Sequence, residues 1–108
     1  MDLVFKALAD PGRRQLLDQL FAHNGQTLNQ LCQHLSMTRQ GVTKHLAILR
    51  AANLVVPLWR GRAKMHYLNP APLKQIGDDW IEKYSANCLR AFRELEEGLQ
   101  EQDEARRR

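Results

Sequence analysis

Apolar residues recur along this chain at helical spacing, change once to strand-like runs, and then return to helical spacing. Leu3, Val4, Phe5 and Leu8 fit one short helix. Asp10-Pro11 then reads as an N-cap followed by proline at the first helical position, where no N–H is needed. The second helix sets Leu16, Leu17, Leu20 and Phe21 on one face and stops near Asn24-Gly25. Thr27 and Gln30 have the spacing of a capping box. They open a short third helix with Leu28, Leu31, Cys32 and Leu35 directed inward. Ser36-Met37-Thr38 is a turn, and Thr38 caps a fourth helix from Arg39 to about Ala52. Val42, Leu46 and Leu49 form its apolar face, while Arg39, Gln40, Thr43, Lys44 and Ala47 form the other. Asn53 follows at the position where a left-handed backbone ends a helix.

Two strand-like runs come next, Leu54–Trp59 and Ala63–Leu68, joined through Arg60-Gly61-Arg62 as a hairpin. Pro57 cannot donate to a ladder, so the first strand is an edge or is bulged there. Asn69-Pro70 repeats the cap-then-proline pattern. A single long helix to about Gln100 is then expected, its stripe being Leu73, Ile76, Trp80, Tyr84, Cys88, Phe92, Leu95 and Leu99, widened by Ile81 and Leu89. The closing Arg106-Arg107-Arg108 reads as a frayed tail. The predicted fold class is mostly α with a small β-hairpin, in the order α-α-α-α-β-β-α.

At 108 residues the chain is expected to form a single domain over 1–108. Its 44% of hydrophobic residues is too high for disorder. No apolar run approaches the ~18 residues that span a bilayer. No basic leader precedes an apolar stretch, and Cys32 and Cys88 fall in separate helix-like patterns. The expected location is therefore the cytoplasm, with no membrane partner and no disulfide.

Charge sharpens the picture. Between Gln19 and Gly77 there is no Asp or Glu, yet Arg39, Lys44, Arg50, Arg60, Arg62, Lys64 and Lys74 all lie there. The acids are confined to the first 18 residues and to Asp78 onward. Clustered cations without nearby carboxylates are suited to a polyanion, because neutralising phosphates releases counterions. Within that window, two short helices joined by a tight turn make a helix-turn-helix. The second helix is narrow enough for the major groove of duplex DNA. Arg39 can bind guanine bidentately and Gln40 can pair with adenine; Thr38, Thr43 and Lys44 suit phosphates or thymine methyls. The hairpin supplies a wing whose Arg60, Arg62 and Lys64 reach the backbone or minor groove.

At FKALADPGRRQLLDQL, TLNQLCQHLSMTRQGVTKHLAILRAANLV and LWRGRAKMHYLNP the chain resembles the ArsR/SmtB family of winged-helix repressors. The resemblance implies a homodimeric repressor that binds operator DNA. It has its helix-turn-helix at 27–52, its wing at 54–68, and dimerisation helices at about 2–9 and 70–100. The length of the last apolar stripe independently calls for a partner. The expected dimer interface holds Leu3, Phe5, Trp80, Tyr84, Phe92, Leu95 and Leu99. Family members place a histidine at the position of His45, which either contacts DNA or braces the helix. Three departures stand out: Gly12 in place of Thr or Ser, Gly41 inside the recognition helix, and Asn53 in place of Gly.

Many relatives release DNA on binding a metal or another inducer. Cys32 matches the first thiol of the family's Cys-x-Cys sensing motif, with His34 at the second position. Residues two apart point about 200° away from each other on a helix, so the pair is a poor ligand set. Cys32 is expected to be a small buried hydrophobe, His34 a solvated residue, and the cofactor requirement none. A metal-responsive regulator using Cys32 is one alternative; a winged-helix protein–protein adaptor is another. Trp80 and Tyr84 are expected in an interface core rather than an inducer pocket, and an inducer, if there is one, is unidentified. His66 is expected to be an ordinary strand residue. Asp78 and Asp79 diverge on a helix and have no base or nucleophile beside them, so enzymatic chemistry is not expected.

Overall fold

The computed structural model describes residues 1–107. It contains α1 (Asp2–Leu8), α2 (Pro11–Ala22), α3 (Leu28–His34), α4 (Arg39–Ala51), β1 (Val55–Arg60), β2 (Ala63–Leu68), α5 (Ala71–Ile76) and α6 (Ala86–Arg107), with a π-helical turn at Gly77–Ile81. Its contacts divide it into two compact units, Met1–Lys74 and a second that begins at Gln75.

The first unit is built from its caps inward. Asp10 accepts a hydrogen bond from the Arg13 N–H at 3.1 Å, and Pro11 opens α2 behind it. That bond holds the Asp10 carboxyl below the usual carboxylate range, and the charges of Arg13 and His45 act in the same direction. The Thr27–Gln30 capping box is complete, with reciprocal bonds of 3.2 and 2.9 Å. The Thr38 hydroxyl accepts from the Gly41 N–H at 3.0 Å and starts α4. That helix ends in a Schellman motif: Asn53 N–H donates to the Arg50 carbonyl and Leu54 N–H to the Leu49 carbonyl, both at 2.9 Å. Asn53 takes φ 59°, the left-handed conformation the motif requires. The two residues that bracket the motif, Leu49 and Leu54, are both fully buried.

Leu16, Leu20, Leu31, Val42, Leu49, Leu54 and Val55 form the centre of the core, joined by Leu17 and Leu46. Two expectations fail here. Phe21 is 81% exposed, because it lies about 90° from the middle of the Leu16–Leu20 stripe and falls off its edge. Cys32 is only half-buried, the core position of α3 being taken by Leu31.

β1 and β2 pair antiparallel without a bulge, from Val55 opposite Leu68 to Arg60 opposite Ala63. Gly61 and Arg62 form the two-residue turn, and φ 62° at Gly61 meets the need for a left-handed first residue. The outer side of β2 pairs with Gln26, whose N–H and carbonyl both bond His66, at 3.1 and 2.8 Å. Since His66 spends its backbone groups on Gln26, Pro57 opposite it sits at a non-hydrogen-bonded position and leaves no donor missing. The edge explanation for Pro57 therefore holds, and the bulge does not.

The region after Asn69 departs from the single helix that the spacing predicts. Asn69 caps as expected, its Oδ1 accepting from Ala71 N–H at 3.2 Å. The π turn then shows an i+5 bond from Glu82 N–H to the Gly77 carbonyl at 3.0 Å. The Ser85 hydroxyl bonds the Glu82 carbonyl at 2.8 Å, and helix resumes only at Ala86. α6 runs to Arg107, so Arg106 and Arg107 are helical rather than frayed, with Arg107 3.3 Å from Asp103. Arg108, the last residue of the expected tail, lies outside the described residues. Along the second unit Trp80, Ile81, Tyr84, Leu89, Phe92, Leu95 and Leu99 are all exposed. The Trp80 and Tyr84 rings meet at a tilt of 38°, with centroids 5.9 Å apart. No described helix is long and apolar enough to cross a membrane.

Candidate nucleic-acid interface

α4 has a buried face of Val42, Leu46 and Leu49 and an exposed face of Arg39, Gln40, Thr43, Lys44 and Ala47, so the two faces fall where the periodicity puts them. α3 braces the N-terminal end, where the Arg39 guanidinium donates to Asn29 Oδ1. The Thr43 hydroxyl donates back to the Arg39 carbonyl at 2.9 Å, which leaves its lone pairs and methyl outward. Arg39, Gln40, Thr43 and Lys44 surround a shallow surface depression on this face. Thr38 is exposed at its end, where its hydroxyl is already engaged as the cap.

His45 is turned away from that group. Its Nε2 lies 3.8 Å from Asp10 Oδ2 and its Nδ1 3.5 Å from the Arg13 guanidinium. Of the two roles open to it, the geometry matches bracing. Arg13 also donates to the Ala7 and Lys6 carbonyls at 2.8 and 3.0 Å, and Arg14 to the Leu8 carbonyl at 2.6 Å. The end of α1, the start of α2 and the middle of α4 are thereby tied together. Gly12 belongs to the same cluster, since a Cβ there would come within 2.8 Å of His45 Nε2 and 2.9 Å of Asp10 Oδ2. A Cβ at Gly41 meets only the Thr38 hydroxyl, at 3.1 Å.

In the wing, Arg60 and Arg62 are exposed beside the Gly61 turn, while Lys64 is half-buried on β2 opposite Trp59. Among the described residues none of Arg39, Lys44, Arg60, Arg62 or Lys64 forms a salt bridge with a carboxylate. Two further residues join this surface that were not among the expected contacts. Trp59 is 67% exposed next to the tip. Arg50 lies seven residues beyond Thr43 on the same helical face, a spacing that was available in the sequence. His66 lies on β2 as expected but is 5% exposed, with its Nδ1 buried and without a hydrogen-bond partner among the described residues. Burial holds its imidazole below the usual histidine range, and the charges of Lys64 and Arg50 lower it further.

Among the described residues no three His, Cys, Asp or Glu side chains approach closely enough to hold a metal ion. Cys32 is half-buried and His34 exposed.

Residues 8–57 match a family model described as a helix-turn-helix domain. Over 87 residues the chain is 40% identical to the uncharacterized HTH-type transcriptional regulator YuzN of Bacillus subtilis (strain 168), covering 75% of this chain and 95% of that protein. Its fold is similar to an ArsR-like transcriptional regulator from Rhodococcus sp. RHA1, with a TM-score of 0.76 and 27% identity over 93% of this chain and 90% of the other. It is also similar to the cadmium metal-sensor CMTR from Mycobacterium tuberculosis, with a TM-score of 0.58 and 33% identity over 71% and 79% of the two chains. With its capped recognition helix followed by a basic hairpin, the chain belongs to the ArsR family of winged helix-turn-helix transcriptional regulators.

Proposed function

We propose that the protein is a homodimeric repressor that binds an inverted-repeat operator through the exposed face of α4 and the wing. The observation that carries this reading is the set of cations without a carboxylate partner among the described residues, Arg39 and Lys44 on α4 and Arg60, Arg62 and Lys64 on the hairpin. Arg39 and Gln40 read base edges, Thr43 offers its methyl to a thymine methyl, and Thr38, Lys44 and the wing residues hold phosphates. His45 acts from behind, by fixing α4 against α2.

Dimerisation is supported by two separately exposed apolar surfaces. In α1, Leu3 and Phe5 are 54% and 45% exposed; in the second unit the stripe from Trp80 and Tyr84 through Phe92, Leu95 and Leu99 is open along its length. Surfaces of this kind mark interaction sites in soluble proteins. A two-fold dimer presents two recognition helices, which is why the operator is an inverted repeat.

Light scattering combined with a salt titration of DNA binding tests the reading. The expected mass is twice the 12.5 kDa of one chain, and duplex affinity falls steeply as salt rises. A monomer at micromolar concentration, or binding indifferent to salt, contradicts it.

A further inference from the structure

A cleft of about 330 Å³ opens between α4 and β2, outside the group of residues assigned above to base reading. Leu28, Leu46 and Ala47 give it an apolar lining, and Arg50 from α4 and Lys64 from β2 line it as well, both near enough for their charges to act on His66. His66 completes the wall on the β2 side. Neither Arg50 nor Lys64 has a carboxylate partner among the described residues, and no Asp or Glu occurs in the sequence between Gln19 and Gly77. The Thr43 hydroxyl at the rim has its proton committed to the Arg39 carbonyl. Among the described residues that line the cleft, the cationic donors are therefore those of Arg50 and Lys64.

We infer that this cleft is an oxyanion seat, in which Arg50 and Lys64 close on one phosphate-type group. Two like charges lining one cleft repel until an anion joins them. The apolar lining reduces the competing water and strengthens the attraction. Arginine offers a planar fork and lysine a point charge, a combination suited to a tetrahedral oxyanion. The assignment of the group to DNA rests on the reading of α4 and the wing as DNA-facing elements. A backbone phosphate seated between them locks helix and hairpin in one register on the duplex. The same chemistry would also accept a free phosphate, which would then compete with DNA.

His66 reports occupancy directly. It lines the seat and feels both cations, so an anion between them favours its protonated form and raises its pKa. The experiment follows the His66 ring by NMR through a pH titration of the full-length protein. It is run alone, with inorganic phosphate, and with a bound operator duplex, beside a salt titration of DNA binding by Arg50→Gln. Arg50 is exposed, so this variant is expected to fold as the wild type does, which denaturation checks.

If the seat holds a DNA phosphate, the duplex raises the His66 pKa. Arg50→Gln then lowers the salt slope by about 0.9 per protomer, on operator and unrelated duplex alike. Over a fourfold rise in salt, a dimer of the variant loses about twelvefold less affinity than wild type. If millimolar phosphate alone raises the His66 pKa and displaces DNA, the seat stands and its anion is a free one. A His66 pKa moved by neither probe, together with an unchanged salt slope, overturns the seat. Failure to bind any duplex would refute the proposed function instead, and the phosphate arm would still judge the seat by itself.

Discussion

Thr38→Ala removes the side-chain N-cap of α4, and its consequences can be worked out from the contacts. The Thr38 hydroxyl accepts from the Gly41 N–H at 3.0 Å in an exposed position. The freed N–H is therefore rehydrated rather than stranded, and the loss is the ordinary cost of an N-cap, about 1 kcal/mol. For a unit of this size that lowers the midpoint of thermal unfolding by roughly 4–8 °C. Thr38→Ser keeps the oxygen and stays close to wild type, whereas Thr38→Val keeps the shape and falls with alanine.

Gly41 makes the test stricter. Replacing it with Ala gains about 1 kcal/mol of helix propensity. In the wild type the new Cβ meets the Thr38 hydroxyl at 3.1 Å, so part of that gain is lost. In the Thr38→Ala background the obstacle is gone and the full gain returns, so the two substitutions are non-additive in a known direction. Denaturation of the four proteins of this cycle, with Thr38→Ser and Thr38→Val beside them, at one fixed concentration measures this. A Thr38→Val protein as stable as wild type, or strictly additive effects, would refute the assigned cap.

The other expectations concern reading, phosphate contact, acid response and metal. Arg39→Ala and Gln40→Ala relax sequence preference at a cost of about 1–3 kcal/mol each, while Arg62→Ala weakens all duplexes alike; binding to operator and scrambled duplexes separates the two. His66 is neutral in the fold and its pKa is depressed, so the stability it contributes is complete above about pH 6.5 and is lost as pH falls through its native value. Chemical denaturation across that range shows a decline that His66→Gln abolishes. Cys32→Ser leaves operator binding intact, and zinc, cadmium or trivalent arsenic do not release DNA from the reduced protein. Stoichiometric release that disappears in Cys32→Ser would make Cys32 a sensor.

The parts of the fold legible in the sequence are those governed by short-range chemistry. Asp10-Pro11, Thr27 with Gln30, Thr38 and Asn53 mark helix boundaries because a cap depends on residues within a few positions of it. The same locality made the exposed face of α4 and the wing tip readable as a candidate site. What was missed depends on distant partners. Gln26 is buried because it bridges His66, some 40 residues on, while its side chain bonds the His23 and Gln19 carbonyls at 2.6 and 3.2 Å. Arg13 and Arg14 cap the end of α1 from the following helix, a role that no local pattern announces. The interruption at 77–85 was hidden for another reason. A stripe stepping by three or four residues suits a continuous helix and an interrupted one equally, and only Gly77 and Ser85 hinted at the break.

The most direct test of the central claim is selection of bound sequences from a random duplex DNA library by the full-length protein. The account predicts enrichment of an inverted repeat whose half-sites are centred about one helical turn, ~34–36 Å, apart or a multiple of it. Recovery of no shared sequence, or of a single asymmetric half-site, would contradict it.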